Sequence, residues 1–220
     1  AIGVKAVSMN DDFFQGHFPE QPVMPGVLQV AAMHQLSSVV LNSQREAPVG
    51  WQVVKLERVK FRSPVGPGDY LQIHTALQEQ SEDGVCQLKA ETRVGETVAA
   101  QAVLTLKPLG GLEMRGRALV AAGTSLPEDL AGVEPFEMDI LQIMEAIPHR
   151  YPFLLVDRIL HADGDNSRIT GLKNITGNEW YFRGASVPCV PEYLLVEMAA
   201  QTGCALALTK PENAGKIVFF

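Results

Sequence analysis

Cysteine, aromatic residues and basic charge are all scarce in this 220-residue chain. The three cysteines, Cys86, Cys189 and Cys204, form no CxxC pair, which argues against a disulfide framework and against a structural zinc site. The formal net charge of -7 disfavours nucleic acid as a partner. No apolar run is long enough to span a bilayer, and no signal peptide is visible. We therefore expect a cytoplasmic protein with no metal.

An internal repeat organises the chain. Hydrophobic residues make up 46% of it, which suits a sizeable core in one or two domains. The stretch 11–35 returns in weaker form as 178–201, and chance is the poorer explanation. The aligned identities, with a two-residue deletion before the last four, are Gly3 with Gly171, Lys5 with Lys173, Gly16 with Gly184, Pro22 with Pro188, Pro25 with Pro191, Leu28 with Leu194, and Gln35 with Gln201.

The most informative positions of the repeat are its mismatches. His17 in the first copy aligns with Ala185 in the second, and Ala31 in the first aligns with Glu197 in the second. Each copy therefore lacks the group that the other keeps. Random decay would not preferentially spare one histidine and one acid in complementary copies.

Periodicity predicts an α+β chain. Alternation with a period of two, broken by turns at 67–69, 83–84 and 95–96, predicts four antiparallel strands within 51–108. The segment around 26–41 is apolar on nearly every side, which favours a helix buried in a wrapping sheet. The other expected elements are strands at 1–8, 153–162 and 168–176 and helices at about 139–146 and 191–208.

Two blocks of the sequence carry a resemblance to a known family. FFQGHFPEQPVMPGVL at 13–28 and IPHRYPFLLVDRIL at 147–160 resemble the 3-hydroxyacyl-[acyl-carrier-protein] dehydratases of fatty acid synthesis. The resemblance implies the hot-dog fold, in which an antiparallel sheet wraps a long helix, here in a double form. The first copy would be 1–108, the linker 109–134 and the second copy 135–220. It also implies an active site shared by two protomers, so that His17 and Glu197 form one composite site in a fused pseudo-dimer.

The chemistry of dehydration needs three groups. A base takes a proton from C2, an acid gives one to the leaving C3 hydroxyl, and a donor holds the charge on the thioester oxygen. A neutral imidazole suits the first role, a carboxylic acid in an apolar tunnel the second, and a backbone N–H at a helix start the third. The candidates in order are His17, Glu197 and Gly26. His17 could instead be a packed loop residue, and Gly26 only a tight helix entry after Pro25.

The predicted reaction converts 3-hydroxyacyl chains on the phosphopantetheine of acyl carrier protein into trans-2-enoyl chains, with no cofactor. Two alternatives remain open at this point: a hot-dog acyl thioesterase, and a non-catalytic module that binds acylated carrier protein. Arg58, Lys60 and Arg62 form a basic stripe, which is either a solvated sheet face or a docking surface for the acidic carrier. His149 and Arg150 are expected to fix a turn before Pro152 rather than to take part in chemistry.

Both ends of the chain depart from the family's pattern. The first copy lacks an opening helix and strand, and the second stops at 216–220, where a further strand is expected to begin. We therefore expect a fragment of a longer tandem protein, or completion of the sheet by another chain, because open strand edges promote aggregation. The resemblance also implies a homo-oligomer, such as a trimer of pseudo-dimers.

Overall fold

The computed structural model describes residues 1–109, 136–163, 168–183, 189–210 and 213. The chain divides into two compact units, the first built from 1–113 and the second from 114–218. The predicted linker, 109–134, lies outside the described residues except for Leu109. The predicted domain boundaries therefore stay predictions.

The first unit is one antiparallel sheet with one long helix. Its elements are β1 (Ile2–Ala6), a 3-10 turn (Asp12–Gln15), α1 (Gly26–Asn42), β2 (Trp51–Phe61), β3 (Tyr70–Gln80), β4 (Cys86–Val94) and β5 (Thr97–Pro108). The strand order across the sheet is β1-β3-β4-β5-β2. Gly84 and Gly95 have φ angles of 77° and 58° in the tight hairpin turns, a region that favours glycine. The four strands predicted within 51–108 are confirmed.

The core of the first unit lies between α1 and one face of the sheet. Alternate residues of β4 and β5 are buried there, including Leu88, Leu104 and Leu106, which have no exposed surface. Met33 of α1 is equally buried in the same cluster. Polar helix residues facing the sheet are paired: the Thr92 hydroxyl donates to Gln29 at 2.6 Å. The burial of α1 residues against the sheet confirms the predicted buried helix. Gln29 has a partner because a polar group removed from water needs a hydrogen bond.

The second unit, in its described residues, consists of two helices and a two-stranded antiparallel sheet. These elements are α2 (Ile140–Ala146), β6 (Arg158–Ala162), β7 (Ile169–Leu172), a 3-10 turn (Trp180–Phe182) and α3 (Glu192–Leu208). Asp139 caps α2 by accepting from the N–H groups of Leu141 and Gln142, in a capping box. Buried Ile143, Ile159 and Ala205 connect α2, β6 and α3 in one apolar cluster. The strand expected to begin in 216–220 lies outside the described residues.

The internal repeat is visible in both units. The helices α1 and α3 each contain 17 residues and begin after an aligned proline. A Cβ at Gly3 would lie 3.2 Å from Leu36, and a Cβ at Gly171 would lie 2.5 Å from Thr202, the residue that the repeat aligns with Leu36. The strand and the helix therefore pack closely at the same place in both copies, which explains the shared glycine.

The aligned lysines also have the same kind of partner in both copies. Lys5 pairs with Asp11 at 3.0 Å, and Lys173 pairs with Glu179, the residue aligned with Asp11, at 3.5 Å. The repeat inferred from identities thus extends to a contact between side chains.

The strands predicted at 153–162 and 168–176 were too long. The observed strands begin at Arg158 and end at Leu172. The backbone of the earlier apolar run is bonded elsewhere, because the Gln201 side chain donates to the Phe153 carbonyl at 2.9 Å and accepts from the Leu155 N–H at 2.8 Å. Beyond β7, the Asn174 N–H donates to the Asp157 carboxylate at 2.6 Å. Neither segment continues the strand ladder.

Candidate active site

His17 lies in the proline-rich loop that leads into α1, and the loop fixes its ring. The Val23 N–H donates to the His17 carbonyl at 3.0 Å, and Nδ1 of the imidazole lies 2.7 Å from the Val23 carbonyl. Because a carbonyl can only accept, the hydrogen of the neutral ring is on Nδ1, and Nε2 carries the lone pair. The ring also stacks on Phe18, with centroids 4.1 Å apart, and His17 is only 9% exposed. A neutral imidazole held in this tautomer has the form required of a base.

Gly26 is the first residue of α1, and its lack of a side chain has a local cause. A Cβ at this position would lie 2.6 Å from the ring of Phe61 on β2. The Pro25 carbonyl accepts from the N–H groups of Leu28 and Gln29, so the helix begins at once after the proline. The N–H of Gly26 belongs to the first turn, whose N–H groups have no acceptor within the helix. Packing against Phe61 is sufficient to explain the glycine, and its predicted role at a thioester oxygen stays a prediction.

Glu197 lies on α3, and its carboxyl group is held by a glutamine one turn later. Its side chain is 13% exposed. The Gln201 amide donates to Oε1 of Glu197 at 2.8 Å, an i to i+4 contact along one face of the helix. Gln201 is 1% exposed and also bonds Phe153 and Leu155, so its amide is fixed from three sides. The predicted acid is therefore a nearly buried carboxyl group with a fixed orientation.

The second residue against Glu197 is His149, for which the sequence predicted only a role in a turn. Nε2 of His149 lies 3.4 Å from Oε1 of Glu197, and His149 is 9% exposed. Arg150 does fix the turn as predicted, since its guanidinium donates to the carbonyls of Ile147 and His149. The sequence carried one signal for His149, because this histidine belongs to the block at 147–160 on which the family resemblance rests. In the structure, Gln201 of α3 bonds Phe153 and Leu155 of the same block.

A titratable thiol, that of Cys204, also interacts electrostatically with Glu197. Burial, with the Glu197 carboxylate as the second cause, raises the pKa of Cys204 to about 11. A thiol with so high a pKa is protonated at neutral pH and is a poor nucleophile. The arrangement in the second unit is therefore that of an oriented acid rather than of a nucleophile.

The predicted site residues are distributed over both units. His17 and Gly26 belong to the first unit, and Glu197 belongs to the second. Ala31 is 7% exposed in α1, at the position that aligns with Glu197. Ala185, the residue aligned with His17, lies outside the described residues. The pairing of His17 with Glu197 stays a prediction.

The antiparallel sheet and the long apolar helix define the α+β hot-dog class that the sequence predicted, and two matched segments are consistent with its double form. The family model of the FabA-like domain matches residues 1–103 and 147–219. The chain belongs to this family.

Curated relatives carry the same name in several bacteria. A protein named 3-hydroxyacyl-[acyl-carrier-protein] dehydratase FabZ from Gluconobacter oxydans (strain 621H) is 44% identical over 113 residues, which are 50% of this chain and 66% of that protein. The FabZ protein of Pelotomaculum thermopropionicum is 52% identical over 85 residues, which are 38% of this chain and 60% of that protein. The chain thus spans less than two-thirds of the length of these relatives.

Solved structures give weaker likenesses. A probable thioesterase from Bartonella henselae has a TM-score of 0.41 and 15% identity, with 50% of this chain and 90% of that chain covered. The dehydratase heterocomplex ApeI:P from Xenorhabdus doucetiae has a TM-score of 0.35 and 24% identity, with 48% and 85% covered. Among the described residues, no helix combines the length and the apolarity needed to cross a membrane.

Proposed function

We propose that this chain dehydrates 3-hydroxyacyl thioesters on acyl carrier protein to trans-2-enoyl thioesters, at one composite site formed by His17 and Glu197. The observation that carries the proposal is the complementary loss within the repeat. The helix position that holds a buried alanine, Ala31, in one copy holds an oriented carboxyl group, Glu197, in the other. The FabZ relatives are named for this reaction and this carrier, which supports the proposal.

In the proposed mechanism each of three groups has one task. Nε2 of His17 takes a proton from C2, because Nδ1 is already committed to the Val23 carbonyl. Glu197 gives its proton to the C3 oxygen as the C3–O bond breaks, so that water leaves. The Gly26 N–H, at the positive end of the α1 dipole, holds the charge that grows on the thioester oxygen. No cofactor is required, since the chain supplies all three groups.

The acidic carrier protein suits the exposed basic stripe of the first unit. Arg58 and Lys60 are exposed on β2, and Arg62 is exposed directly after the strand ends. Their alternation is less regular than the sequence suggested, since Arg58 has a φ of 52° at a β-bulge. Arg62 donates twice to Gln101, at 2.9 and 3.0 Å, which leaves Arg58 and Lys60 as the more available cations. We propose that this stripe contributes to carrier docking. Assembly into a homo-oligomer and a cytoplasmic location stay predictions.

The proposal is tested by the rate and by the identity of the product. Purified chain is given a 3-hydroxyacyl thioester of acyl carrier protein, and the absorbance of the conjugated enoyl thioester is followed. His17→Ala and Glu197→Gln are each expected to lower kcat by about a hundredfold or more, as positioned acid–base groups do. Gln35→Ala, an exposed substitution on α1, is the control and should leave the rate unchanged.

Other outcomes identify the rivals. Release of free thiol without an enoyl product would make the chain a thioesterase. Binding of the acylated carrier with no change in the acyl group would make it a silent binding module. If either His17→Ala or Glu197→Gln kept the rate within about tenfold of the unaltered chain, the assigned roles would be wrong.

A further inference from the structure

The loop before β6 holds a second histidine, His149, against the Glu197 carboxyl group. Its position is set by the backbone of the loop. Arg150 donates to the His149 carbonyl at 2.7 Å, and the Phe153 N–H donates to the Arg150 carbonyl at 2.8 Å. Gln201 then ties the Phe153 carbonyl to α3 at 2.9 Å. The loop that carries the imidazole is thus attached to the helix that carries the acid.

Two side-chain nitrogen atoms lie close to the same carboxyl oxygen of Glu197, Oε1. The Gln201 amide donates to Oε1 at 2.8 Å, and Nε2 of His149 lies 3.4 Å from that atom. The second distance is long for a hydrogen bond, but such contacts often tighten only when substrate is bound and charge develops. With a hydrogen on Nε2, the His149 ring has a donor 3.4 Å from Oε1.

We infer that His149 is a positioning residue for Glu197 in the dehydration, an inference that rests on the proposed function. Because both nitrogens lie nearest to Oε1, they favour the acid form of Glu197 that carries its proton on Oε2. In the elimination the C2 proton goes to His17, the C3–O bond breaks, and the Glu197 proton goes to the leaving oxygen to form water. Glu197 is left as a carboxylate, and the donors on Oε1 stabilise the negative charge as it develops.

The first test separates the donor from the bulk of the side chain. His149→Leu removes the donor, and kcat is expected to fall about tenfold, equivalent to about 1.4 kcal/mol, with KM within about twofold. His149→Gln keeps a donor and should retain kcat to within about threefold of the unaltered chain. Tyr151→Phe is the matched control, because Tyr151 lies on the same loop with 74% of its surface exposed, and its kcat should not change.

The second test shows whether His149 acts through Glu197. In a Glu197→Gln background, His149→Leu should lower kcat by less than about twofold, because the group on which it acts no longer gives a proton. A loss of the same size in both backgrounds would overturn the inference. If His149→Leu does not fold, as judged by circular dichroism, His149→Asn replaces it, and the same dependence on the background is required.

The outcomes also separate this inference from the proposed function. If the unaltered chain forms no enoyl product, the proposed function fails. If it forms product in a way that depends on Glu197, while His149→Leu and His149→Asn keep the full kcat, the function stands and only the role of His149 is overturned.

Discussion

Replacement of Gln201 by leucine should destabilise the second unit more than any surface change. The residue is 1% exposed and makes three hydrogen bonds, to Phe153, Leu155 and Glu197. Gln201→Leu removes one hydrogen bond from the Phe153 carbonyl and one from the Leu155 N–H, at about 1–3 kcal/mol for each buried group. The added apolar surface returns about 1–2 kcal/mol. We therefore expect the free energy of unfolding to fall by about 1–4 kcal/mol, centred near ~2.5 kcal/mol.

The measurement is urea unfolding followed by tryptophan fluorescence. The Trp180 ring centroid lies 6.0 Å from that of Phe153, so its emission reports on this loop. With a urea dependence of about 1–3 kcal/mol per molar, the midpoint should fall by roughly 1–2 M.

Gln35 provides the matched control, because the repeat aligns it with Gln201 and its side chain is exposed. Gln35→Leu should stay within about 0.5 kcal/mol of the unaltered chain, as exposed substitutions usually do. A Gln201→Leu midpoint no lower than that of Gln35→Leu would refute the reasoning, because the three hydrogen bonds would then contribute nothing measurable.

Three further changes are predicted. Gly26→Ala should lower the free energy of unfolding by about 1–3 kcal/mol, because the new methyl group meets the Phe61 ring. The effect of Gly26→Ala should be smaller in a Phe61→Leu background, where the ring is absent. Urea unfolding that gives the same effect in both backgrounds would contradict this. Burial raises the pKa of Tyr181 to about 12. As pH rises, the unfolded chain therefore loses the Tyr181 proton before the folded chain does, and the free energy of unfolding should fall between about pH 10 and 12. Tyr181→Phe should make this fall smaller. Iodoacetamide at neutral pH should modify exposed Cys189 well before Cys204, whose thiol stays protonated. Peptide mass spectrometry measures the order, and earlier modification of Cys204 would contradict this prediction.

The sequence predicted the elements whose patterns are local. The alternation within 51–108 marked four strands because one face of each is buried and the other is wet. The two long apolar helices were found for a related reason, since a helix wrapped by a sheet has no wide polar side. The repeat corresponds to shared side-chain contacts as well as to shared helices and strands. The aligned residues Lys5 and Lys173 each pair with an acidic residue, and those two acidic residues are also aligned.

The errors occurred where a distant side chain determines the structure. The apolar run from Phe153 has the composition of a strand, but its backbone bonds Gln201, which is nearly fifty residues later. The same distance separates His149 from Glu197, so no local period could pair them. The bulge at Arg58 likewise depends on the register of β2 against β5 and not on the charge pattern of the strand.

The most direct test of the composite site is the kcat of the His17→Ala/Glu197→Gln double variant, followed by enoyl absorbance beside both single variants. Residues that act together in one site are non-additive, so the double variant should be within about threefold of the slower single variant. If the losses multiply, or if either single variant keeps the full rate, the two residues do not serve one site and the account is contradicted.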